Sequence, residues 1–326
     1  MIHCIRMAMI AMLALAPVLS AQAQSATPWP AKAIRMIIPV PPGGTSDILA
    51  RMLGQKLTET WGQQIVVESR PGANGNIGVE LLVRSPPDGY TLCLMDVGNL
   101  SISPAMYTRL PFDILRDLTP VTMVSYSTHL VTVHPSVPVK NVGEVIALAK
   151  KNPGKLNFPT ALGSAAHLAG LLLQQRTGAQ WVYVPTKGGQ SSILTVATGE
   201  GDLLFMGMLQ TMPHVRAGRV RALAVTGSKR SDIAPQLPTM IEAGVPGYEH
   251  LLWNAVLVPA ATPKDAIARL DSELSKVVAA PDLRERFAAI GTDAISSTPE
   301  QYAAFIKTEM AKYARIIKSA NIRIEH

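Results

Sequence analysis

Cysteine is almost missing from this 326-residue chain: there are two, Cys4 and Cys93. Cys4 sits in an N-terminal segment that reads as removable, so Cys93 is left without a partner and no internal disulfide or C-x-x-C motif is available. Aromatic residues make up only 5% of the chain, too few for a stacking platform for bases or sugars. Charged residues are 16%, and the basic ones are scattered instead of forming a Lys/Arg block, which argues against nucleic acid as a partner. No G-x-S-x-G elbow, H-E-x-x-H pair or P-loop occurs, and His129, His134, His167, His214 and His250 show no i, i+4 ligand spacing. The expectation is no catalytic residue, no metal and no cofactor.

Beyond the first twenty residues no apolar run reaches the eighteen or so that a membrane helix needs. The N-terminus itself has Arg6, an apolar Met7–Leu19 stretch and a small-x-small Ala21-Gln22-Ala23 site, so residues 1–23 read as a secretory signal peptide cut after Ala23. The mature chain is then an exported, periplasmic protein. Its formal charge of +7 falls to about +6 with the loss of Arg6, an excess that suits a small anionic solute. Hydrophobic content of 48% fits large buried sheets, and about 300 mature residues exceed what one core usually serves.

β-rich runs alternate with helical stretches, which predicts an α/β fold with mostly parallel sheets flanked by helices. Strands are expected at Ile34–Val40, Gln64–Glu68 and Tyr90–Met95, with helices at Ser46–Trp61 and Ile77–Ser85 between them. A second unit is expected from Ser125, with strands at His129–His134, Leu156–Thr160, Trp181–Pro185, Asp202–Met206 and Arg221–Thr226. Its helices fall at Val142–Lys151, Ala165–Thr177 and Ser191–Thr198. The tail reads as strand Trp253–Val258 and helices Pro263–Val278 and Pro299–Lys318, each opening on Thr-Pro, with Gln301 at capping-box spacing from Thr298. The tail returns to the first unit. That gives lobe 1 as 24–124 plus 250–326, lobe 2 as 125–249, and a hinge near Val121–Ser127 and Tyr248–Asn254, with a ligand cleft between strand ends.

Glycine-bearing strand ends face that cleft. After the first strand, Gly43 and Gly44 let the backbone turn tightly, Thr45 or Ser46 is placed to cap the following helix, and its first N–H groups offer an anion site. Arg70 to Gly78 is a G-x-x-G-x-x-G string, distinct from the dinucleotide fingerprint. In lobe 2, Gly163-Ser164 opens a helix with His167 one turn in, and Lys187-Gly188-Gly189 repeats the strand, glycine, helix order. Each loop alone is also compatible with a plain structural turn.

Taken in order, Trp29-Pro30, P-P-G-G-T-S-D at 41–47, R-P-G-A-N-G-N-I-G at 70–78, D-G-Y-T-L at 88–92, G-S-A-A-H-L at 163–168, K-G-G at 187–189, P-T at 238–239, E-A-G at 242–244 and V-P-A-A-T-P at 258–263 make the chain resemble the Bug-type periplasmic receptors of tripartite tricarboxylate transporters. The resemblance runs from Trp29 to the C-terminus. It implies a type II periplasmic binding protein of Venus-flytrap form, a monomer that delivers a small carboxylate to integral-membrane permease subunits. It also implies that Gly43, Gly44, Thr45 and Ser46 hold the anion, that Gly163, Ser164, His167, Lys187, Gly188 and Gly189 form the opposite wall, and that Asp96 and Asn99 line the side. Asp47 and Asn76 would support the loops. Thr186 stands where the family usually has tyrosine, and Ala161 where it commonly has glycine, which bears on pocket shape. Two other readings stay open on the sequence: a sensor presenting its ligand to a membrane histidine kinase, and a periplasmic enzyme acting on carboxylates.

Overall fold

A computed structural model of the chain describes residues 29–323. The signal peptide expected over 1–23, with its cleavage point, lies outside the described residues. Three parallel strands start the fold: β1 (Ile34–Ile38) lies between β2 (Ile65–Ser69) and β3 (Thr91–Asp96). Helix α1 (Thr45–Trp61) joins β1 to β2, and α2 (Asn76–Val83) leads toward β3. Both faces of β1 are covered, as a parallel strand requires. Ile34, Met36 and Ile38 pack with Leu49, Leu53 and Leu57 of α1, whereas Ile37 packs on the opposite face with Val79 and Leu82 of α2. Leucines at 49, 53 and 57 recur every four residues, so one stripe of α1 is buried, each side chain worth about 1.5–3 kcal/mol. Gly54 lets this helix close on β2, where an added Cβ would stand 3.1 Å from Val67 Cγ2.

A short π-turn (Gly98–Ile102), α3 (Ser103–Met106) and α4 (Ile114–Asp117) follow β3 and lead into β4 (Leu118–Val133), a single 16-residue strand. The sequence reading sees only its last third. β4 pairs antiparallel with β9 (Leu251–Pro259) from Leu118↔Pro259 to Thr128↔Leu251. From His129 onward it pairs instead with β7 (Leu203–Gly207), and from Leu130 with β8 (Arg221–Val225). The change of partners at Thr128/His129 is where one sheet hands over to the other. It lies a few residues past the 124/125 boundary drawn from the sequence.

The second lobe carries α5 (Val142–Lys151), the parallel pair β5 (Asn157–Thr160) and β6 (Val182–Pro185), α6 (Ala165–Thr177) and α7 (Gly189–Ala197). Between β7 and β8 stands α8 (Met208–Arg216), a helix the sequence reading omits. After β9, α9 (Lys264–Ala279) and α10 (Pro281–Ala289) cover the first sheet, and β10 (Thr292–Ala294) adds antiparallel to β4. The antiparallel pairings thus come from β4, β9 and β10, while the loop-bearing strands β1–β3 and β5–β6 run parallel within each lobe. The result is the two-lobed α/β architecture expected.

The C-terminal helix α11 (Pro299–Ser319) opens on the capping box read from the sequence, with Thr298 Oγ1 accepting from Gln301 N at 3.2 Å. Helix α9 starts one residue later than the expected Pro263: Pro263 is its N-cap, and Thr262 Oγ1 is buried without a partner. Tyr302 and Phe305 of α11 pack edge-on against Trp253 in β9. Farther along, Gln175 of α6 donates to Ile316 O and Ser319 Oγ, so α11 touches both lobes. Among the described residues no helix is long and apolar enough to cross a membrane.

Candidate functional site

The loop after β1 turns at Gly43, whose φ of +86° favours glycine. Gly44 is the N-cap of α1 and brings no side chain to it. This corrects the expectation that Thr45 or Ser46 caps: both lie inside the helix, with their hydroxyls used elsewhere. Ser46 Oγ donates to Asn254 Oδ1 at 2.7 Å, and Asn254 Nδ2 in turn donates to Ser125 Oγ at 3.2 Å, tying the loop to β9 and β4. Asp47 folds back so that its Oδ2 accepts from Gly43 N at 2.9 Å, and Arg51 caps its other oxygen. Among the described residues no side chain caps the first N–H groups of α1, the donors that a helix start leaves without an internal partner.

Asp96 ends β3 half-buried, with Oδ1 accepting from Gly98 N at 2.9 Å and Asn99 N at 3.2 Å. Burial pushes its carboxyl above the usual range, against the pull of those two amides and of the Ser46 hydroxyl. Asn99 Nδ2 donates to Asn74 O at 2.8 Å, so this side chain holds the 72–76 turn in place. That turn is tight: Gly75 has φ +89°, and a Cβ there would stand 2.0 Å from Asn99 Nδ2 and 2.7 Å from Pro39 O. Asn76 accepts from Ser103 Oγ at 2.7 Å, while its Nδ2 is buried without a partner, as is Ser101 Oγ.

In the second lobe, Ser164 caps α6, its Oγ accepting from His167 N at 3.3 Å. His167 is buried, and its Nδ1 accepts from Gly163 N at 3.0 Å. Its ring stands edge-on to Tyr183 at 4.4 Å, and desolvation lowers its pKa to about 4. His167 is thus a neutral brace of the loop. Gly188 has φ +153°, and its carbonyl accepts from the hydroxyls of Ser191 and Ser192. Thr186 Oγ1 lies 2.7 Å from Ser192 Oγ, and an added Cβ at Gly189 would sit 2.9 Å from Met206 Sδ. Lys187 is exposed, and among the described residues it makes no ion pair.

Two contacts join the loops of opposite lobes. A Cβ added at Gly163, itself at φ +80°, would lie 2.2 Å from Met106 Cε and 3.4 Å from Asn74 Nδ2, both in lobe 1. Gln210 Nε2, from α8, donates to Thr45 Oγ1 at 3.3 Å. The first contact brings Gly163 and Ser164 against the 72–76 turn, and the second brings α8 against the 43–47 loop. No hydrogen bond or ion pair of Lys187, Gly188 or Gly189 reaches lobe 1 among the described residues. Gln210 was missed by the sequence reading, although Gly207-Met208 repeats the strand, glycine, helix order of the other loops.

Two cavities lie along β4 and β9, away from these loops. One is lined by Ser127, Lys229 and Asp293, the other, about 310 Å³ and apolar, by Met123, Trp253, Tyr302 and Phe305. Neither contains a residue of the four glycine-bearing loops. Among the described residues no group of three His, Cys, Asp or Glu is placed to hold a metal ion.

The family model for the tripartite tricarboxylate transporter family receptor matches residues 49–322. Protein BugT of Bordetella pertussis is 34% identical over 303 residues, covering 92% of this chain and 93% of its own. Among solved structures, R. palustris Rpa4515 with adipate superposes with a TM-score of 0.84 at 31% identity, covering 91% of this chain and all of the other (100%). MatC (Rpa3494) from Rhodopseudomonas palustris with bound malate gives 0.79 at 25% identity, over 89% of this chain and 100% of that one. The order of motifs, the two lobes joined through β4 and β9, and these matches lead to one assignment: the chain belongs to the tripartite tricarboxylate transporter receptor family.

Proposed function

We propose that this protein is a periplasmic solute receptor that captures a small carboxylate between its lobes and delivers it to integral-membrane permease subunits. The observation that carries the reading is the N-terminus of α1. Gly44 gives it no side-chain cap, Asp47 secures its loop, and Thr45 is met from the opposite lobe by Gln210. Backbone N–H groups and the helix dipole supply a site for one carboxylate without a buried cation. Family membership and the adipate and malate held by two relatives support the carboxylate class.

In this reading Gly43, Gly44, Thr45 and Ser46 seat the carboxylate, Asp96 and Asn99 shape its flank, and Gly163, Ser164, Lys187, Gly188 and Gly189 close over it. His167, Asp47 and Asn76 hold those loops in position. Lobe 1 is 24–124 plus 250–326 and lobe 2 is 125–249. Ligand contacts to both lobes favour the closed state, and β4 and β9 carry the bending. The receptor acts as an exported monomer after cleavage behind Ala23, without catalysis and without a cofactor. Isothermal titration of the mature protein against dicarboxylates, tricarboxylates, amino acids and aromatic acids tests the reading. Saturable one-to-one binding of at least one acid is expected; a folded protein that binds none overturns it.

A further inference from the structure

We propose that Gln210 is a specificity-determining residue, which selects ligands bearing an oxygen acceptor beside the anchored carboxylate over ligands bearing an ammonium group there. This rests on the carboxylate-receptor reading of the cleft. Gln210 is the third residue of α8, directly after the strand-end glycine Gly207, and it is half-buried. Its Nε2 donates across the cleft to Thr45 Oγ1 at 3.3 Å, at the first residue of α1. Its Oε1 points back to its own lobe, 3.0 Å from where a Cβ on Gly207 would stand. The amide therefore presents its donor end, not its acceptor end, to the loop that seats the carboxylate.

A ligand held at the first turn of α1 lies within reach of the same N–H₂ group. That group donates to a second carboxylate, a hydroxyl or a carbonyl, and has nothing to offer an ammonium. No carboxylate from lobe 2 makes a hydrogen bond to the 43–47 loop among the described residues, and the lobe 1 carboxylates beside it are engaged, Asp47 by Gly43 N and Arg51 and Asp96 by Gly98 N and Asn99 N. Turning the amide over would set its carbonyl against Thr45, whose hydroxyl would then donate, and aim the N–H₂ at Gly207, so recognition of an ammonium requires that turned arrangement in place of the observed one. A site built to hydrogen-bond one kind of substituent rejects the other more strongly than an apolar pocket does. Gln210 also bridges the lobes through Thr45, so the ligand group that takes over this donor keeps a cross-lobe link in place.

The test compares the mature wild-type protein with Gln210→Glu and Gln210→Ala by calorimetric titration with malate, succinate and aspartate. Glutamate at the third helical position is favourable for the helix, so the folded state of Q210E is secure. Wild type is expected to bind the two dicarboxylates about tenfold or more tighter than aspartate, and Q210E to weaken the dicarboxylates about tenfold while weakening aspartate less or improving it. Q210A is expected to shrink the preference. If wild type binds a panel acid but shows no preference for the two dicarboxylates over aspartate, or binds none of the three, or both variants shift all three ligands by one common factor, the assignment of Gln210 fails while the receptor reading stands. If folded wild type binds neither these acids nor any other carboxylate offered, the receptor reading fails and takes this inference with it.

Discussion

His167 Nδ1 accepts the backbone N–H of Gly163 at 3.0 Å, so the histidine and the glycine four residues before it form one unit. An acceptor at Nδ1 places the ring proton on Nε2 and keeps the imidazole neutral. Replacing His167 with Phe fills the same space and leaves Gly163 N–H buried without a partner. A loss of about 1–3 kcal/mol in urea unfolding is expected, together with weaker ligand binding. His167→Asn, which restores an acceptor, should recover part of both.

Acid should destabilise this fold through its buried histidines. His167 is lowered to about 4 and His129 to about 3, both by burial, and His250, stacked on His129 at 5.1 Å, is lowered well below its usual value. Near pH 5 the unfolded chain holds protons on these rings and the folded one does not, so stability rises with pH there. Each ring contributes up to about 1.4 kcal/mol per pH unit between 6.5 and its folded value. Stability is thus complete above about pH 6.5 and is lost as pH falls through the folded pKa values. Urea midpoints from pH 7 to 4.5 should fall, and His167→Phe should flatten that slope by one proton's share.

Gly163 should be more sensitive in binding than in folding. Its φ of +80° costs a non-glycine residue about 1–2 kcal/mol, and an alanine methyl would meet Met106 Cε and Asn74 Nδ2 across the lobes. Met106 has an unbranched side chain that can adapt, and in the proposed closure the added methyl is held against it. Gly163→Ala is expected to weaken ligand affinity about tenfold. Adding Met106→Ala should recover a measurable part of the affinity, as read by a double-mutant cycle.

Ser46→Ala leaves Asn254 Oδ1 without its donor in a buried setting. The expected cost is about 1–2 kcal/mol in thermal or urea unfolding. Ser46→Thr keeps the hydroxyl and should cost less.

Asp96→Asn retains an acceptor for Gly98 N and Asn99 N while removing a negative charge beside Ser46 and the anion loop. Carboxylate affinity is expected to rise about two- to fivefold. In the native protein the same gain should come as pH falls through the raised titration range of Asp96. The Asp96→Asn variant should lose that part of the pH dependence in calorimetric titrations.

Much of this architecture was legible from the chain because glycine and proline punctuate its apolar runs. β1, α1, β3, α5 and α6 all fall between such marks. β4 was not legible as one strand, since Thr122, Ser125, Thr128 and Thr132 interrupt its apolar pattern and Pro120 stands at a register shift. Those hydroxyls are buried because they find partners that are distant in sequence, such as Thr122 with Ser297 O and Thr128 with Thr226. Helix α8 gave no start signal beyond Gly207 and carries Pro213 inside, so Gln210 was invisible as a cleft residue. Thr45 looked like a cap because caps are local, whereas its observed partner is 165 residues away.

The central claim is that backbone donors at the start of α1 anchor a carboxylate. The most direct measurement titrates the mature protein with an acid it binds and with the primary amide of that same acid, which keeps the shape and removes the charge. The account predicts saturable one-to-one binding of the acid and at least a hundredfold weaker binding of the amide, on the order of 3 kcal/mol. Equal affinity for the two would contradict it.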